Sequence, residues 1–147
     1  MPVFLDTSAL VKLYVRESGT DWMLRLTDET PTGQIIISAL AEVEFHAALR
    51  LLERTAKIET ALRRELTAAY REDARWRYAR QPVTDHVLGL AVALVERHPL
   101  RAYDAVQLAS CLAYAAGSTA PQFVSSDRQL VSAAAAEGLD CRNPEDE

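Results

Sequence analysis

Two aspartates, far apart in the sequence, each follow a short apolar segment. Asp6 comes directly after Val3-Phe4-Leu5, and Asp127 follows Phe123-Val124-Ser125-Ser126. Each pattern is typical of a buried strand that stops at a polar residue and gives way to a helix. Open α/β sheets bind their ligands at the carboxyl ends of the strands. The two aspartates therefore predict one acidic site that the fold assembles.

Two further acids lie on predicted helices and are candidates for the same site. Glu44 lies about two turns into the helix after the second predicted strand, and Asp104 is near the start of a later helix. Glu42 competes with Glu44 on equal local evidence, and either acid can equally well face solvent on an amphipathic helix. Three hydroxyl residues accompany the aspartates and can orient ligands, cap helices, or do both: Thr7, Ser8 and Ser125. We expect Thr7 and Ser8 to cap the helix that follows Asp6 and to hold water behind it.

The residue types at this site favour a hard divalent cation. His46, His86 and His98 are scattered and the chain has no CxxC motif, so a zinc site is not expected. Clustered carboxylates cannot all stay ionised without compensation, and oxygen ligands suit Mg²⁺ or Mn²⁺. Such ions lower the pKa of bound water and stabilise charge on phosphate oxygens. The expected chemistry is therefore phosphoryl transfer.

Helical and strand patterns alternate along the chain. Residues 3–5, 34–37, 122–125 and 139–141 are predicted strands, and residues 81–83 are a break or a further short strand. The predicted helices are 8–16, 21–26, a helix capped by Ser38 and ending at Arg54, 60–78, 85–98, 101–116 and 128–137. This alternation predicts an α/β fold whose parallel sheet is covered on both faces. No linker or repeat divides the chain, so we expect one domain over residues 1–147.

Composition limits the classes of partner. The chain has 147 residues, 49% of them hydrophobic, and a net charge of −5, which argues against broad nonspecific binding to nucleic acid. Residues 50–80 differ, because this segment holds nine basic and five acidic side chains. The segment is either a solvated helical face of mixed charge or a surface that follows a nucleic-acid backbone.

The same sequence predicts a cytoplasmic protein. Its two isolated cysteines, Cys111 and Cys141, form no disulfide framework. Asp6 interrupts the early apolar run, so we expect no secretory leader. No apolar stretch reaches the roughly 18 residues that a membrane-spanning helix needs.

Four segments of the chain resemble the motifs of the PIN-domain ribonucleases, and within them the VapC-type toxins of toxin–antitoxin pairs. The segments, in family order, are Phe4-Leu5-Asp6-Thr7-Ser8-Ala9-Leu10, Ser38-Ala39-Leu40-Ala41-Glu42-Val43-Glu44, Leu100-Arg101-Ala102-Tyr103-Asp104-Ala105, and Phe123-Val124-Ser125-Ser126-Asp127. In the second motif the acid falls six residues after the serine, which selects Glu44 over Glu42. The resemblance covers nearly the whole chain, and no motif lacks its acid.

The resemblance implies a three-layer α/β/α sandwich with a central parallel sheet. It also implies cleavage of RNA with Mg²⁺ or Mn²⁺, a homodimer, and a small cognate antitoxin that blocks the site. The implied catalytic and metal-binding residues are Asp6, Glu44, Asp104 and Asp127. A non-catalytic module that binds a metal or a partner is the alternative. An aspartyl-phosphate phosphatase with Asp6 as nucleophile is disfavoured, because Ser8 stands where that chemistry wants a second Asp.

The sequence alone does not decide which residues would form the dimer interface. Leu10, Val11, Leu13 and Tyr14 offer more apolar surface than one helix face must bury, as do the alanines of the last helices. Ordinary core packing explains these residues equally well.

Overall fold

The computed structural model describes residues 1–147 and contains five strands and seven helices. The strands are β1 (Val3–Leu5), β2 (Ile35–Ser38), β3 (Tyr78–Gln81), β4 (Gln122–Val124) and β5 (Cys141–Arg142). The helices are α1 (Thr7–Val11), α2 (Thr20–Glu29), α3 (Ala41–Arg54), α4 (Thr60–Trp76), α5 (Asp85–Arg97), α6 (Ala102–Ala116) and α7 (Arg128–Ala136), and a 3₁₀ turn (Pro144–Asp146) follows β5.

The five strands form one parallel sheet in the order β3-β2-β1-β4-β5. β1 lies at the centre, where Val3 pairs with Ile35 on one side and with Gln122 on the other. Parallel neighbours require crossover connections, and the helices supply them. Because all the strands run the same way, their carboxyl ends meet at one edge of the sheet.

Alternate residues of each strand bury on opposite faces of the sheet. Val3 and Leu5 join a core that α1, α2, α3 and α4 cover. Phe4 points to the other face, which α5, α6 and α7 cover, and its ring stacks on Phe123 at 5.8 Å. The predicted α/β/α sandwich with a central parallel sheet is confirmed.

The first helix is shorter than predicted. α1 ends at Val11, so the prediction of a helix to residue 16 is wrong beyond that point. From Lys12 to Tyr14 each backbone N–H donates to the carbonyl three residues earlier, which tightens the chain into 3₁₀-like turns. This turn buries Lys12, whose ammonium lies 3.2 Å from Glu17 and 3.6 Å from Glu145.

The third strand lies earlier in the sequence than predicted. β3 occupies Tyr78–Gln81 rather than residues 81–83, and α4 ends at Trp76 rather than at residue 78. Tyr78 is buried and its hydroxyl contacts that of Tyr14, so the core fixes where the strand begins.

The C-terminal turn packs closely against the start of α2. Gly19 has φ +90°, and a Cβ atom there would lie 2.7 Å from the Pro144 carbonyl oxygen. Only glycine accepts both this backbone conformation and this contact. No helix of the chain combines the length and apolar character that crossing a membrane requires.

Candidate active site

Each of the four predicted acids lies at the start of a helix. Asp6 and Asp127 are the N-cap residues of α1 and α7, and their side chains accept the N–H groups of Ala9 and Leu130. Glu44 and Asp104 lie in the first turns of α3 and α6. The partial positive charge of a helix N-terminus stabilises a carboxylate. Each of the four carboxylates therefore lies at the N-terminus of a different helix, where negative charge is favoured.

The structure brings these four acids together. They line one cavity of about 250 Å³, whose walls are Asp6, Thr7, Ser8, Glu44, Ala48, Arg101, Asp104, Gln107 and Asp127. A second cavity of about 450 Å³ shares Glu44, Arg101 and Asp104 with it. Glu42 lies in neither cavity, because its carboxylate accepts the Tyr70 hydroxyl at 2.9 Å. The structure thus separates Glu44 from its local competitor.

Asp6 is the most buried of the four acids and is held by three hydrogen bonds. One carboxylate oxygen accepts from the Ala9 N–H at 3.0 Å and from the Ser8 hydroxyl at 2.6 Å, and the other accepts from Ser125 at 2.9 Å. Burial raises the pKa of Asp6, and the three hydrogen-bond donors lower it. Burial has the larger effect, so the pKa is about 6. The site therefore pays a desolvation cost to keep Asp6 ionised at neutral pH.

The predicted hydroxyl residues hold the acids rather than cap α1. The expectation that Thr7 and Ser8 cap this helix is wrong, because the Asp6 carboxylate does so. The Ser8 hydroxyl accepts the Ser126 N–H at 3.0 Å, and the Ser125 hydroxyl accepts the Asp127 N–H at 3.0 Å. The loops after β1 and β4 are thereby tied together around Asp6.

The helix that carries Glu44 also starts later than predicted. Ser38 was the expected cap, but its hydroxyl accepts the Leu40 N–H at 3.1 Å and the Ser110 hydroxyl at 2.9 Å, and α3 begins at Ala41. Glu44 therefore lies in the first turn of α3 rather than two turns into it, close to the edge of the sheet.

Gln107 is a site residue that sequence reasoning missed. Its amide donates to Glu44 at 2.7 Å and to the Thr7 hydroxyl at 3.0 Å, and that hydroxyl itself lies 3.0 Å from Glu44. The Gln107 side chain is buried, and its Oε1 atom has no hydrogen-bond partner. A polar residue on the apolar, inward face of α6 was the signal that would have found it.

Arg101 is a second residue that the sequence did not single out. Its Nε lies 3.3 Å from Asp104, and a terminal nitrogen lies 3.8 Å from Asp127. Burial raises the pKa of Asp104, the charge of Asp127 raises it further, and Arg101 opposes both.

The types of donor around the cavity, rather than their spacing, suit a hard divalent cation. No three His, Cys, Asp or Glu side chains lie close enough together in this arrangement to hold a metal ion. The groups that face the cavity are nevertheless oxygen donors with an excess of negative charge, which is what Mg²⁺ and Mn²⁺ select. The buried Gln107 Oε1 is a further oxygen acceptor beside these groups that lacks a donor.

Solved structures share this fold over almost the whole chain. FitAcB from Neisseria gonorrhoeae superposes with a TM-score of 0.70 at 14% identity, covering 97% of both chains. A toxin–antitoxin complex from Klebsiella pneumoniae gives 0.61 at 16% identity, also covering 97% of both chains. VapC20 of Mycobacterium tuberculosis, a sarcin-ricin loop cleaving toxin, gives 0.64 at 20% identity and covers 93% of this chain and 95% of its own. At these identities the likeness establishes the fold.

The family follows from the sequence itself. No curated protein matches the chain. The PIN domain, however, matches residues 3–136, a span that contains all four acids and every strand except β5. The earlier resemblance to PIN-domain proteins is confirmed: the chain belongs to the PIN domain family.

Proposed function

We propose that this chain is a metal-dependent endoribonuclease toxin that a cognate antitoxin neutralises. The observation that carries the proposal is the meeting of Asp6, Glu44, Asp104 and Asp127 in one cavity of a PIN domain. The superposition with VapC20, a sarcin-ricin loop cleaving toxin, and with a toxin–antitoxin complex supports the substrate class and the partner.

The four acids would hold one or two Mg²⁺ or Mn²⁺ ions. When bound, such ions supply a water of lowered pKa and stabilise negative charge on the phosphate. The protein's own groups prepare the site for this chemistry. Ser8 and Ser125 keep the Asp6 carboxylate in one orientation, and Thr7 and Gln107 do the same for Glu44. These hydrogen bonds orient the Asp6 and Glu44 carboxylates before substrate arrives.

The antitoxin is proposed to act on the same acids. An edge lined by four carboxylates attracts a basic side chain as well as a metal ion, so a small protein that inserts one would block the site. We place the toxin in the cytoplasm, where both of its free cysteines stay reduced.

A matched pair of variants on α3 tests the nuclease site. Glu44→Gln removes a site carboxylate, whereas Glu42→Gln makes the same change two residues away, outside the cavity. We expect Mg²⁺-dependent cleavage of total bacterial RNA to fall at least about 100-fold for Glu44→Gln and to persist for Glu42→Gln. Asp6→Asn is expected to match Glu44→Gln. Full activity of Glu44→Gln or Asp6→Asn would refute the assignment.

Induced expression in a bacterial host separates the toxin from the alternative, a non-catalytic module that binds a metal or a partner. The toxin arrests growth when it is wild type and not when it carries Asp6→Asn. A binding module gives the same growth for both proteins, provided that immunoblots show equal amounts of each.

We also propose a homodimer, formed by an apolar surface beside the site. Leu10 is fully buried, and Leu13 and Tyr14 pack on the chain's own core, so the start of the chain is not the source of this surface. One group of exposed apolar residues lies instead on α3, α5 and α6, and we call it the apolar face: Val43, Leu88, Val92, Val95 and Tyr103.

The apolar face fits a second copy of the chain. Val43 and Tyr103 are 67% and 66% exposed and lie on a cavity wall that also includes Glu44. Leu88, Val92 and Val95 follow one side of α5 at helical spacing and line an apolar groove with α6. Val92→Glu places a charge in this face, and we expect light scattering to show monomers where the wild type shows dimers. A monomeric wild type at tens of micromolar would contradict the proposal.

The basic segment 50–80 contributes to RNA binding only through its exposed members. Arg63 is held by Glu53 at 2.8 Å and is largely buried, whereas Arg64, Arg71 and Arg75 are exposed. We therefore expect Arg64→Ala to lower the salt dependence of RNA binding. We expect Arg63→Ala to lower chiefly the stability of the fold.

A further inference from the structure

Arg101 is the only basic residue in the walls of the two cavities at the acidic site. Its guanidinium lies between two carboxylates that come from different segments, Asp104 on α6 and Asp127 at the start of α7. No other cation offsets these two acids within the site. In the metal-free chain, Arg101 is therefore the side chain whose positive charge offsets the Asp104 and Asp127 carboxylates.

The position of Arg101 in α6 is poorly suited to a purely structural arginine. It is the N-cap residue, with φ −73° and ψ 158°, and its side chain makes no capping hydrogen bond. Asp, Asn, Ser or Thr would cap the helix, and a positive charge opposes the helix dipole at this end. A residue that breaks local preference without structural gain is often a functional one.

The contacts of Arg101 are also easily released. Its side chain is 85% exposed, and its distances of 3.3 and 3.8 Å are those of a loose ion pair. Solvent-exposed pairs of this kind contribute little to stability. A divalent cation at the acids therefore competes with Arg101 at small cost.

We propose that Arg101 occupies the cation position between Asp104 and Asp127 in the metal-free chain, and turns to a phosphate of the RNA when a divalent ion displaces it. The proposal rests on the nuclease function proposed above. It assigns to Arg101 the substrate contact that four carboxylates cannot make.

The negative charge of RNA explains why Arg101 would turn to a phosphate after it leaves the acids. Each RNA phosphate is negative and is repelled by the site acids. A guanidinium at the rim of the cavity binds a phosphate through two parallel N–H donors, a geometry that Lys does not offer. Arg101, once released from the acids, keeps its charge within reach of the same cavity because its backbone is fixed at the start of α6.

The first test measures Mn²⁺ binding alone, by electron paramagnetic resonance of the free ion. Arg101→Gln removes the competing charge, so we expect Mn²⁺ to bind about fivefold more tightly than to the wild type. Arg97→Gln is the matched control. Arg97 is another exposed arginine paired with an acid, Glu137 at the C-terminal end of α7, and it lies in the wall of neither cavity. We expect this control to bind Mn²⁺ as the wild type does.

The second test measures RNA binding. A fluorescein-labelled single-stranded RNA is titrated with each protein by anisotropy over a range of salt, with Ca²⁺ in place of Mg²⁺ to suppress cleavage. Loss of one phosphate contact lowers the slope of log affinity against log salt by about 0.7. We expect this decrease for Arg101→Gln and not for Arg97→Gln.

Two outcomes overturn the assignment. Mn²⁺ affinity that is equal in Arg101→Gln and wild type removes Arg101 from the cation position. An unchanged salt slope removes it from the phosphate. Failure of the proposed function looks different, because the wild type itself then neither binds nor cleaves RNA.

Discussion

Replacing Asp6 by Asn is expected to abolish activity and yet to stabilise the metal-free protein at neutral pH. Asp6 is only 4% exposed, and burial raises its pKa from 3.8 to about 6. A difference of two pKa units between folded and unfolded chains corresponds to about 3 kcal/mol. This is the free energy by which ionised Asp6 destabilises the fold.

The sign of the pH dependence follows from the direction of the shift. Below pH 3.8 the carboxyl is protonated in both states and costs nothing. As pH rises towards 6 the unfolded chain ionises first, so the fold loses stability, and above about pH 7 the full cost is present. Asn carries no charge and avoids this cost. Its amide replaces an acceptor of the Ser125 hydroxyl, which removes about 1 kcal/mol of the gain.

The expected net effect is a gain of about 2 kcal/mol in the free energy of unfolding at pH 7.5, shrinking to nothing or reversing by pH 4.5. For a chain of this length the gain at pH 7.5 corresponds to about 4–8 °C in Tm. The measurement is thermal unfolding by circular dichroism in EDTA, from pH 4.5 to 8. Asp28→Asn, an exposed residue of α2, controls for the loss of one negative charge.

Two results would refute this reasoning. A difference in Tm that stays the same at every pH would show that desolvation of the carboxylate is not the cause. A destabilised Asp6→Asn protein at pH 7.5 would show that the three hydrogen bonds outweigh the cost of burial. Saturating Mg²⁺ is expected to reverse the order of stability, because the ion offsets the negative charge of the wild type more than that of the variant.

Three further substitutions test the supports of the site and of the fold. Gln107→Leu removes one of the two donors to Glu44 and the hydrogen bond that holds the other donor, the Thr7 hydroxyl, so kcat for RNA cleavage should fall about 10- to 100-fold while circular dichroism shows a folded protein. Gly19→Ala forces a Cβ atom against Pro144 at a positive φ, so urea unfolding should report a loss of at least about 2 kcal/mol. Lys12→Met keeps the buried stem but leaves both partner glutamates half-exposed and unpaired, and we expect a loss of about 1–3 kcal/mol that high salt makes smaller.

The strand-end acids were predictable because their signal is local. Asp6 and Asp127 each end a short apolar run, and a parallel sheet brings such ends to one edge whatever the other residues are. Glu44 needed the family resemblance, because Glu42 has the same local pattern. The structure supplies the physical difference: Glu42 turns towards Tyr70, on the core side of α3.

The errors arose where tertiary contacts override local preference. Residues 12–16 have a helical pattern, but burial of Lys12 between two glutamates bends the chain. β3 has no alternating pattern, and its place depends on Tyr78 reaching the core. Gln107 and Arg101 acquire their roles only from neighbours distant in sequence, so one chain read alone does not single them out.

The order of the sheet has a consequence for how the protein is synthesised. β4 is the fourth strand along the chain, yet it pairs directly with β1 at the centre of the sheet. Asp127 and the Ser125 hydroxyl that holds Asp6 follow this strand. A nascent chain therefore carries three of the four acids without a finished site. Under the proposed function, the acidic cavity is complete only when Asp127 has been translated and β4 has paired with β1, so RNA cleavage begins only after this central pairing.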